Sequence, residues 1–139
     1  MTNEELMRVF RISRDIESLE ERIARLRAMR ERITHEISDL PAPTGYQLSR
    51  IEEITVQIDE HERKLNEQRI ERACLKAELV KTVDTAISDA QCRAIIIERY
   101  GWGKRFRDIG IELRISEPRV YYLHRHGLKE LGIKGDNLA

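Results

Sequence analysis

Basic and aromatic side chains are concentrated near residue 120 of the chain, at spacings that suit one face of a helix. With about 100° of rotation per residue, a helix that turns Val120 and Leu123 inward presents another set of side chains outward. Arginine and lysine donate to guanine edges or phosphates, and tyrosine contacts phosphates or thymine methyl groups. This set is a candidate DNA-binding surface, and the alternative is an ordinary solvated helix face. Its members are Arg119, Tyr121, Tyr122, Arg125, His126 and Lys129, preceded by Pro118.

A second basic group lies a short distance earlier in the sequence. Lys104, Arg105 and Arg107 are candidate phosphate contacts, and Ser116, expected at the start of the following helix, is a fourth. Phosphate contacts of this kind position a protein on a duplex without reading its sequence. The alternative for the basic group is again a solvated face, because clustered surface charges often have no ligand.

No pattern in the chain indicates catalysis, a metal site or a cofactor. His124 and His126 are two residues apart, so a helix points them to different sides and they cannot chelate a metal together. Cys74 and Cys92 have no CxxC partner, which predicts two reduced, partly buried thiols. The carboxylates occur at helix-surface spacings near Lys and Arg. We therefore expect a protein that is not an enzyme.

Composition restricts the architecture and hides an asymmetry of charge. Of the 139 residues, 36% are charged and 5% aromatic, with a net charge of zero. Residues 88–139 nevertheless hold 10 Lys+Arg against 7 Asp+Glu, whereas residues 1–87 hold 15 against 18. A modestly basic C-terminal module suits phosphate binding. Without a long apolar run or a signal pattern at the N-terminus, we expect no membrane association and a cytoplasmic location.

Two long helices are predicted for residues 1–86. Apolar residues recur at alternating steps of three and four, the spacing of a helix with a narrow apolar stripe. Pro41, Pro43 and Gly45 interrupt the pattern, and a short connection favours an antiparallel helical hairpin. The hairpin has a thin core, so we expect a homodimer. The stripes comprise Val9, Ile12, Ile16, Leu19, Ile23, Leu26, Arg30, Ile33, Ile37 and Leu40, then Ile51, Ile54, Ile58, His61, Leu65, Gln68, Arg72, Leu75, Leu79 and Thr82.

The polar positions of the two stripes are expected to meet. Antiparallel pairing places Arg30 near His61, and Ile23 near Gln68. A polar layer of this kind lowers stability but can fix register and oligomeric state. Alternatively, Arg30 extends past the stripe to water or to Glu60 or Glu62.

Residues 87–134 read as a three-helix module, and residues 135–139 as a frayed tail. Ser88 and Gln91 form a predicted capping box before a helix that ends near Tyr100. A short helix over residues 105–113 follows, then a tight turn, then a helix from Ser116 to about Leu131. These are the elements of a helix-turn-helix. Its expected inner residues are Phe106, Ile109, Leu113, Ile115, Val120, Leu123, Gly127 and Leu131, with Gly110 allowing a close helix crossing.

The segment RDIGIELRISEPRVYYLHRHGLKEL resembles region four of bacterial sigma factors. The preceding AQCRAIIIERYGWG is similar to the helix end of that module, so the likeness spans roughly fifty residues. It implies an all-α fold in which the second helix of the motif contacts DNA. Sigma factors carry more Arg, Glu and Gln on this face, whereas Pro118 and two tyrosines replace some of them here. The preferred DNA sequence therefore does not carry over.

Over most of its length the chain resembles phage and prophage regulators of the ArpU and RinA type. The likeness rests on RLRAMRERITHEISDLPAP, a charged helix, and the sigma-like motif. It implies a sequence-specific transcription regulator, an activator of late phage genes, in the cytoplasm and nucleoid of the bacterial host. The implied partners are double-stranded DNA, a second copy of the chain and host RNA polymerase. Two alternatives remain: a small terminase subunit for DNA packaging, and a coiled-coil adaptor that binds RNA polymerase or a sigma factor.

Overall fold

A computed structural model of the chain describes residues 1–133, and the tail predicted for residues 135–139 lies outside them. The described residues fold into helices without a β-strand, so the predicted all-α class is confirmed. The elements are α1 (Asn3–Ser38), α2 (Gly45–Ala86), α3 (Ala90–Ile96), a π-helical turn (Ile97–Gly101), α4 (Phe106–Leu113) and α5 (Glu117–Glu130).

Reciprocal capping begins both long helices. The Thr2 hydroxyl accepts a hydrogen bond from the Glu5 amide, and the Glu5 carboxylate accepts one from the Thr2 amide. Thr44 and Gln47 repeat this arrangement before α2. Each pair satisfies amides that a helix N-terminus leaves free. Neither pair was predicted from the sequence, whereas the interruption between the helices lies where Pro41, Pro43 and Gly45 predicted it.

The chain divides into two compact units, of which one comprises residues 16–69. Six residues of the predicted apolar stripes are buried here: Ile16, Leu19, Ile23, Ile54, Ile58 and Leu65. Toward the helix connection the stripes are less covered, because Leu26, Ile33, Ile37 and Ile51 are half-buried and Leu40, predicted as a stripe residue, is exposed. Arg69 Nη2 lies 3.0 Å from Glu20 Oε1, and Arg27 pairs with Glu62. As the residue number increases along α1, the number of the paired residue in α2 decreases, so the two helices run antiparallel within this unit.

Arg30 makes a hydrogen bond that the sequence pattern did not predict. Arg30 Nη1 lies 3.3 Å from Thr55 Oγ1, a residue nearer the helix connection than His61. An arginine side chain can extend along a neighbouring helix, so residue spacing alone does not fix its partner. The half-buried guanidinium thus has a hydroxyl acceptor inside the polar layer.

The other unit comprises residues 1–15 together with the chain from residue 70 onward. Its core joins the ends of α1 and α2 to the three short helices, so the division predicted after residue 86 lies inside this unit. Short helices bury too little apolar surface alone, and residues of the long helices complete their core. The fully buried members include Leu6, Val9, Leu79, Val83, Ile87, Ile95, Ile96, Tyr100, Ile109, Val120 and Leu128.

The start of α3 corrects the predicted capping box. Asp89, not Ser88, is the N-cap, and its Oδ1 accepts a hydrogen bond of 3.0 Å from the Gln91 amide. A carboxylate is a charged acceptor that also interacts favourably with the positive end of the helix dipole. The backbone carbonyl of Ser88 instead accepts from Arg93 Nη1 at 2.7 Å.

The connection between α4 and α5 has the predicted tight-turn chemistry. Arg114 ends α4 in the left-handed region, with φ 57° and ψ 44°. The Ile115 amide donates to the Gly110 carbonyl at 3.0 Å, and Ser116 caps α5 by accepting from the Arg119 amide. A Cβ on Gly110 would lie 3.0 Å from the Ile115 carbonyl oxygen and 3.3 Å from Val120 Cγ2. The close helix crossing predicted at Gly110 is confirmed.

We expect Gly110→Ala to lower the free energy of unfolding by about 1–2 kcal/mol. Overpacking costs about 1–3 kcal/mol and exceeds the gain of up to about 1 kcal/mol in helix propensity. The clashing atom belongs to the backbone, which cannot rotate away. Urea denaturation followed by circular dichroism measures the change. Gly45→Ala is the matched control, since a Cβ there has no atom within 4 Å. A Gly110→Ala variant as stable as the parent would contradict this packing argument.

Candidate nucleic-acid interface

The structure places all six predicted base-contacting and flanking residues on the exposed side of α5. The opposite side of the helix is buried, and it contains Val120, Leu123, Gly127 and Leu128. Leu131, predicted as an inner residue, is only half-buried and packs at the edge of the core. The exposed set is Arg119, Tyr121, Tyr122, Arg125, His126 and Lys129.

Neighbouring side chains orient part of this exposed face. The Tyr121 ring packs on the Phe106 ring of α4, with 4.6 Å between centroids. The Arg119 guanidinium carbon lies 5.3 Å from the centroid of the Tyr122 ring. His126 Nε2 lies 3.1 Å from Glu130 Oε1 on the next turn of the helix. Arg119 and Tyr121 are thus partly held in place, which reduces the conformational entropy lost on binding a ligand.

The predicted phosphate contacts differ in their surroundings. Lys104 Nζ lies 2.5 Å from Glu98 Oε2 and 2.8 Å from Glu112 Oε1. Hydrogen bonds to Glu112 and Glu98 raise the pKa of Lys104, and the two carboxylates offset its charge. Arg105 and Arg107 are exposed at the start of α4. Among the predicted basic group, these two arginines are therefore the better phosphate candidates.

Ser116, predicted as a phosphate contact, is also the N-cap residue of α5. Its Oγ accepts a hydrogen bond of 3.3 Å from the Arg119 amide and begins α5. The hydroxyl proton remains able to donate to an anion.

A buried polar pair that was not predicted from the sequence, Tyr100 and His124, packs against the inner side of α5. Tyr100 Oη and His124 Nε2 are 2.6 Å apart, and their rings stack with centroids 5.7 Å apart. The Phe106 ring meets the His124 ring edge to face at 4.8 Å. His124 falls between Val120 and Leu128 in the helical repeat, so its inward position was readable from the spacing. From the sequence, His124 was considered only as a metal ligand.

Burial sets the protonation state of this pair. The pKa of His124 is lowered to about 4, mainly by burial and further by the positive charges of Arg99 and Arg125. Burial also raises the pKa of Tyr100 above its ordinary value. Both groups are therefore neutral at pH 7, which suits one hydrogen bond between two uncharged partners.

A half-buried arginine, Arg99, links the start of α1 to α4. The guanidinium carbon of Arg99 lies 4.5 Å from the centroid of the Phe10 ring and 4.2 Å from that of Phe106. Its Nη1 donates to the Lys104 carbonyl at 2.9 Å. Burial lowers the pKa of Arg99. Phe106 thus contacts Arg99, His124 and Tyr121, and it connects the core to the exposed face of α5.

Other kinds of site find little support in the part of the chain that the structure describes. Within residues 1–133 no three His, Cys, Asp or Glu residues group together as metal ligands. The helices described there include none with the length and apolar content to cross a membrane. Cys92 is buried as predicted, with its thiol pKa raised to about 11 by burial, whereas Cys74 is exposed.

Comparisons with models of protein families, with curated proteins and with solved structures give no match to this chain. The resemblance to sigma-like phage regulators therefore stays a prediction.

Stability is expected to fall as the pH drops from 6.5 to 4, because of His124. Its folded pKa of about 4 lies below the ordinary 6.5, so the unfolded chain binds more protons in this range. The contribution is complete above pH 6.5 and decreases by roughly 3 kcal/mol at pH 4. Urea denaturation across this pH range measures it.

A neutral replacement isolates the contribution of His124. His124→Gln can still hydrogen-bond to Tyr100 and should remove most of this pH dependence, whereas the exposed His126→Gln should leave it intact. If His124→Gln and the parent lose stability equally on acidification, the buried neutral imidazole is not its cause.

Proposed function

We propose that this chain is a sequence-specific transcription regulator that binds double-stranded DNA through α5. One observation carries the proposal. The buried side of α5 packs into a helix-turn-helix core, while its opposite side presents arginine, lysine and tyrosine residues without an apolar cover. In helix-turn-helix proteins the second helix enters the major groove and the first crosses the phosphate backbone.

Two kinds of contact are assigned to the surface. Arg119, Arg125 and Lys129 read base edges or approach nearby phosphates, and Tyr121 and Tyr122 contact phosphates or thymine methyl groups. Arg105 and Arg107 hold the backbone from the start of α4. Glu117 and Glu130 are the first and last residues of α5. The surface is therefore not uniformly cationic, and phosphates are expected only beside its basic residues.

The biological role within this proposal follows the resemblance. A chain similar to regulators of the ArpU and RinA type would activate late phage genes in the host cytoplasm, with host RNA polymerase as a further partner. A small terminase subunit or a polymerase-binding adaptor would use the same helices for another purpose. Oligomeric state and promoter activity separate these roles.

The proposal includes a homodimer formed through the hairpin. Several large apolar side chains of residues 16–69 are exposed: Leu40, Tyr46, Leu48 and Val56. Three of them lie within ten residues around the helix connection, where exposed apolar surface favours association with a partner. A second copy of the chain is the partner that the proposal names.

We expect the full chain to sediment as a dimer at micromolar concentration. Replacing Tyr46 and Leu48 by Ser, side chains that are 78% and 48% exposed, should shift the population toward monomer without unfolding the helices. Analytical ultracentrifugation and circular dichroism measure the two effects. A monomeric parent would contradict the dimer, and a ring of about eight or more subunits would favour the packaging role.

The central test is DNA binding by the full chain. A duplex pool of random sequence, selected over several rounds, should yield an enriched site, and fluorescence anisotropy then measures affinity for that site and for a scrambled one. The triple variant Arg119→Ala, Arg125→Ala, Lys129→Ala should lose at least about 2 kcal/mol of binding free energy on the selected site. A triple variant that binds this site as tightly as the parent would refute the proposed docking.

Control variants separate base reading from general charge. The control triple variant combines Arg22→Ala, Arg32→Ala and Arg63→Ala at exposed positions of the hairpin. It removes the same total charge as the triple variant of α5 and should leave the affinity for DNA nearly unchanged. Arg105→Ala should weaken both duplexes equally and lower the slope against salt concentration by about one unit. Lys104→Ala should have a smaller effect, since two carboxylates already offset this ammonium.

A further inference from the structure

Trp102, the single tryptophan of the chain, lies beside two cations of α2. Lys76 Nζ is 3.2 Å from the centroid of the indole ring, and the guanidinium carbon of Arg72 is 4.9 Å from it. The indole is 43% exposed, although a tryptophan that served only as core would be covered. Neither α2 nor Trp102 was assigned to the candidate interface from the sequence.

Positive charge is concentrated around this indole. The pKa of Lys76 is lowered by burial and by the nearby charges of Arg72 and Lys104, and only Glu98 opposes these effects. Glu98 is itself within 2.5 Å of Lys104 Nζ. Within residues 1–133, Lys76 forms no ion pair. An anion placed here would be attracted to the Lys76 ammonium, which has no carboxylate partner among these residues.

The loop that carries Trp102 is held firmly by α1. The buried Ser13 hydroxyl donates to the Gly101 carbonyl at 2.9 Å, and Arg14 Nη1 donates to the Gly103 carbonyl at 3.4 Å. Gly103 has a φ of 69°, and a Cβ there would lie 3.1 Å from Ser13 Cβ. The backbone on both sides of Trp102 is therefore held in position before any ligand arrives, which favours binding.

The position in the sequence indicates which anion fits. Trp102 lies two residues before Lys104, the first residue of the basic group, and α4 begins at Phe106. The first helix of a helix-turn-helix crosses the phosphate backbone, so the loop before it lies near phosphates that flank the site read by α5. Ammonium, guanidinium and indole N–H groups are all donors, as phosphate oxygens require.

We propose that Trp102, Lys76 and Arg72 form a second contact with the phosphate backbone of duplex DNA, so that the base of the hairpin contributes to the DNA-binding surface. This inference rests on the proposed function. Inorganic phosphate shares the same chemistry and is the alternative source of the anion. The contact does not read sequence, and it should strengthen cognate and random duplexes alike.

Trp102 makes the test direct, because its fluorescence reports on this position alone. In one experiment, the selected duplex is titrated into the full chain and tryptophan emission is recorded. In a second experiment at equal salt, the anisotropy of the labelled duplex is recorded. The emission should change and saturate at the same DNA concentration as the anisotropy. Millimolar inorganic phosphate at the same ionic strength should leave the emission nearly constant.

Substitution at Lys76 supplies the second measurement. Lys76→Gln should weaken the selected and the scrambled duplex by the same factor, about five- to tenfold near 0.1 M salt, and lower the salt slope by about one unit. Lys76→Arg should retain affinity because it keeps the charge. Lys81→Gln is the matched control, since this lysine is exposed on the same helix. Thermal unfolding of each variant shows whether its fold is intact.

The outcomes distinguish this inference from the function on which it rests. DNA binding by anisotropy with constant Trp102 emission, and with Lys76→Gln equal to the parent, would overturn the inference and leave the proposed function standing. A phosphate-induced emission change without a DNA-induced one would assign the cluster to a free anion instead. Failure of every duplex to bind would refute the proposed function itself.

Discussion

The joint burial of the short helices with the ends of the hairpin is the constraint on which the rest of the structure depends. The helices α3, α4 and α5 have between 7 and 14 residues each and few apolar side chains. Leu6 and Val9 from α1, with Leu79 and Val83 from α2, complete a core that these helices could not form alone. The core thereby determines the position of α5, because the buried side of this helix belongs to it.

Aromatic and polar contacts connect this core to the exposed residues of α5. Phe106 packs on Tyr121 of the exposed face, on the buried His124 and on the Arg99 guanidinium. The hydrogen bond between Tyr100 and His124 satisfies two polar groups that would otherwise be costly to bury. The geometry of α5 therefore depends on residues that do not face solvent.

Periodic features were predictable from the sequence, and features set by competition between neighbours were not. The alternating steps of three and four predicted the buried residues of the two long helices. Ser116 and Gly110 predicted the turn between α4 and α5, because the chemistry of neighbouring residues alone decides such features. Asp89 displaced Ser88 as the cap since both can accept the same amide hydrogen bond. The partner of Arg30 depends on the reach of a long side chain, and the pairing of Lys104 depends on Glu112, which tertiary folding brings close. Exposure of the α5 set was predicted correctly, whereas its role in DNA binding remains a proposal.

Arg99 occupies a position between rings that are nearly a hundred residues apart in the chain, Phe10 and Phe106. Its guanidinium has an aromatic contact on the side of α1 only while the first helix is present. A segment that starts near residue 87 lacks this contact, together with the core residues Leu6 and Val9 of α1. In a chimeric protein, the first fifteen residues and the C-terminal helices would have to come from the same parent to keep the contacts among positions 10, 99 and 106.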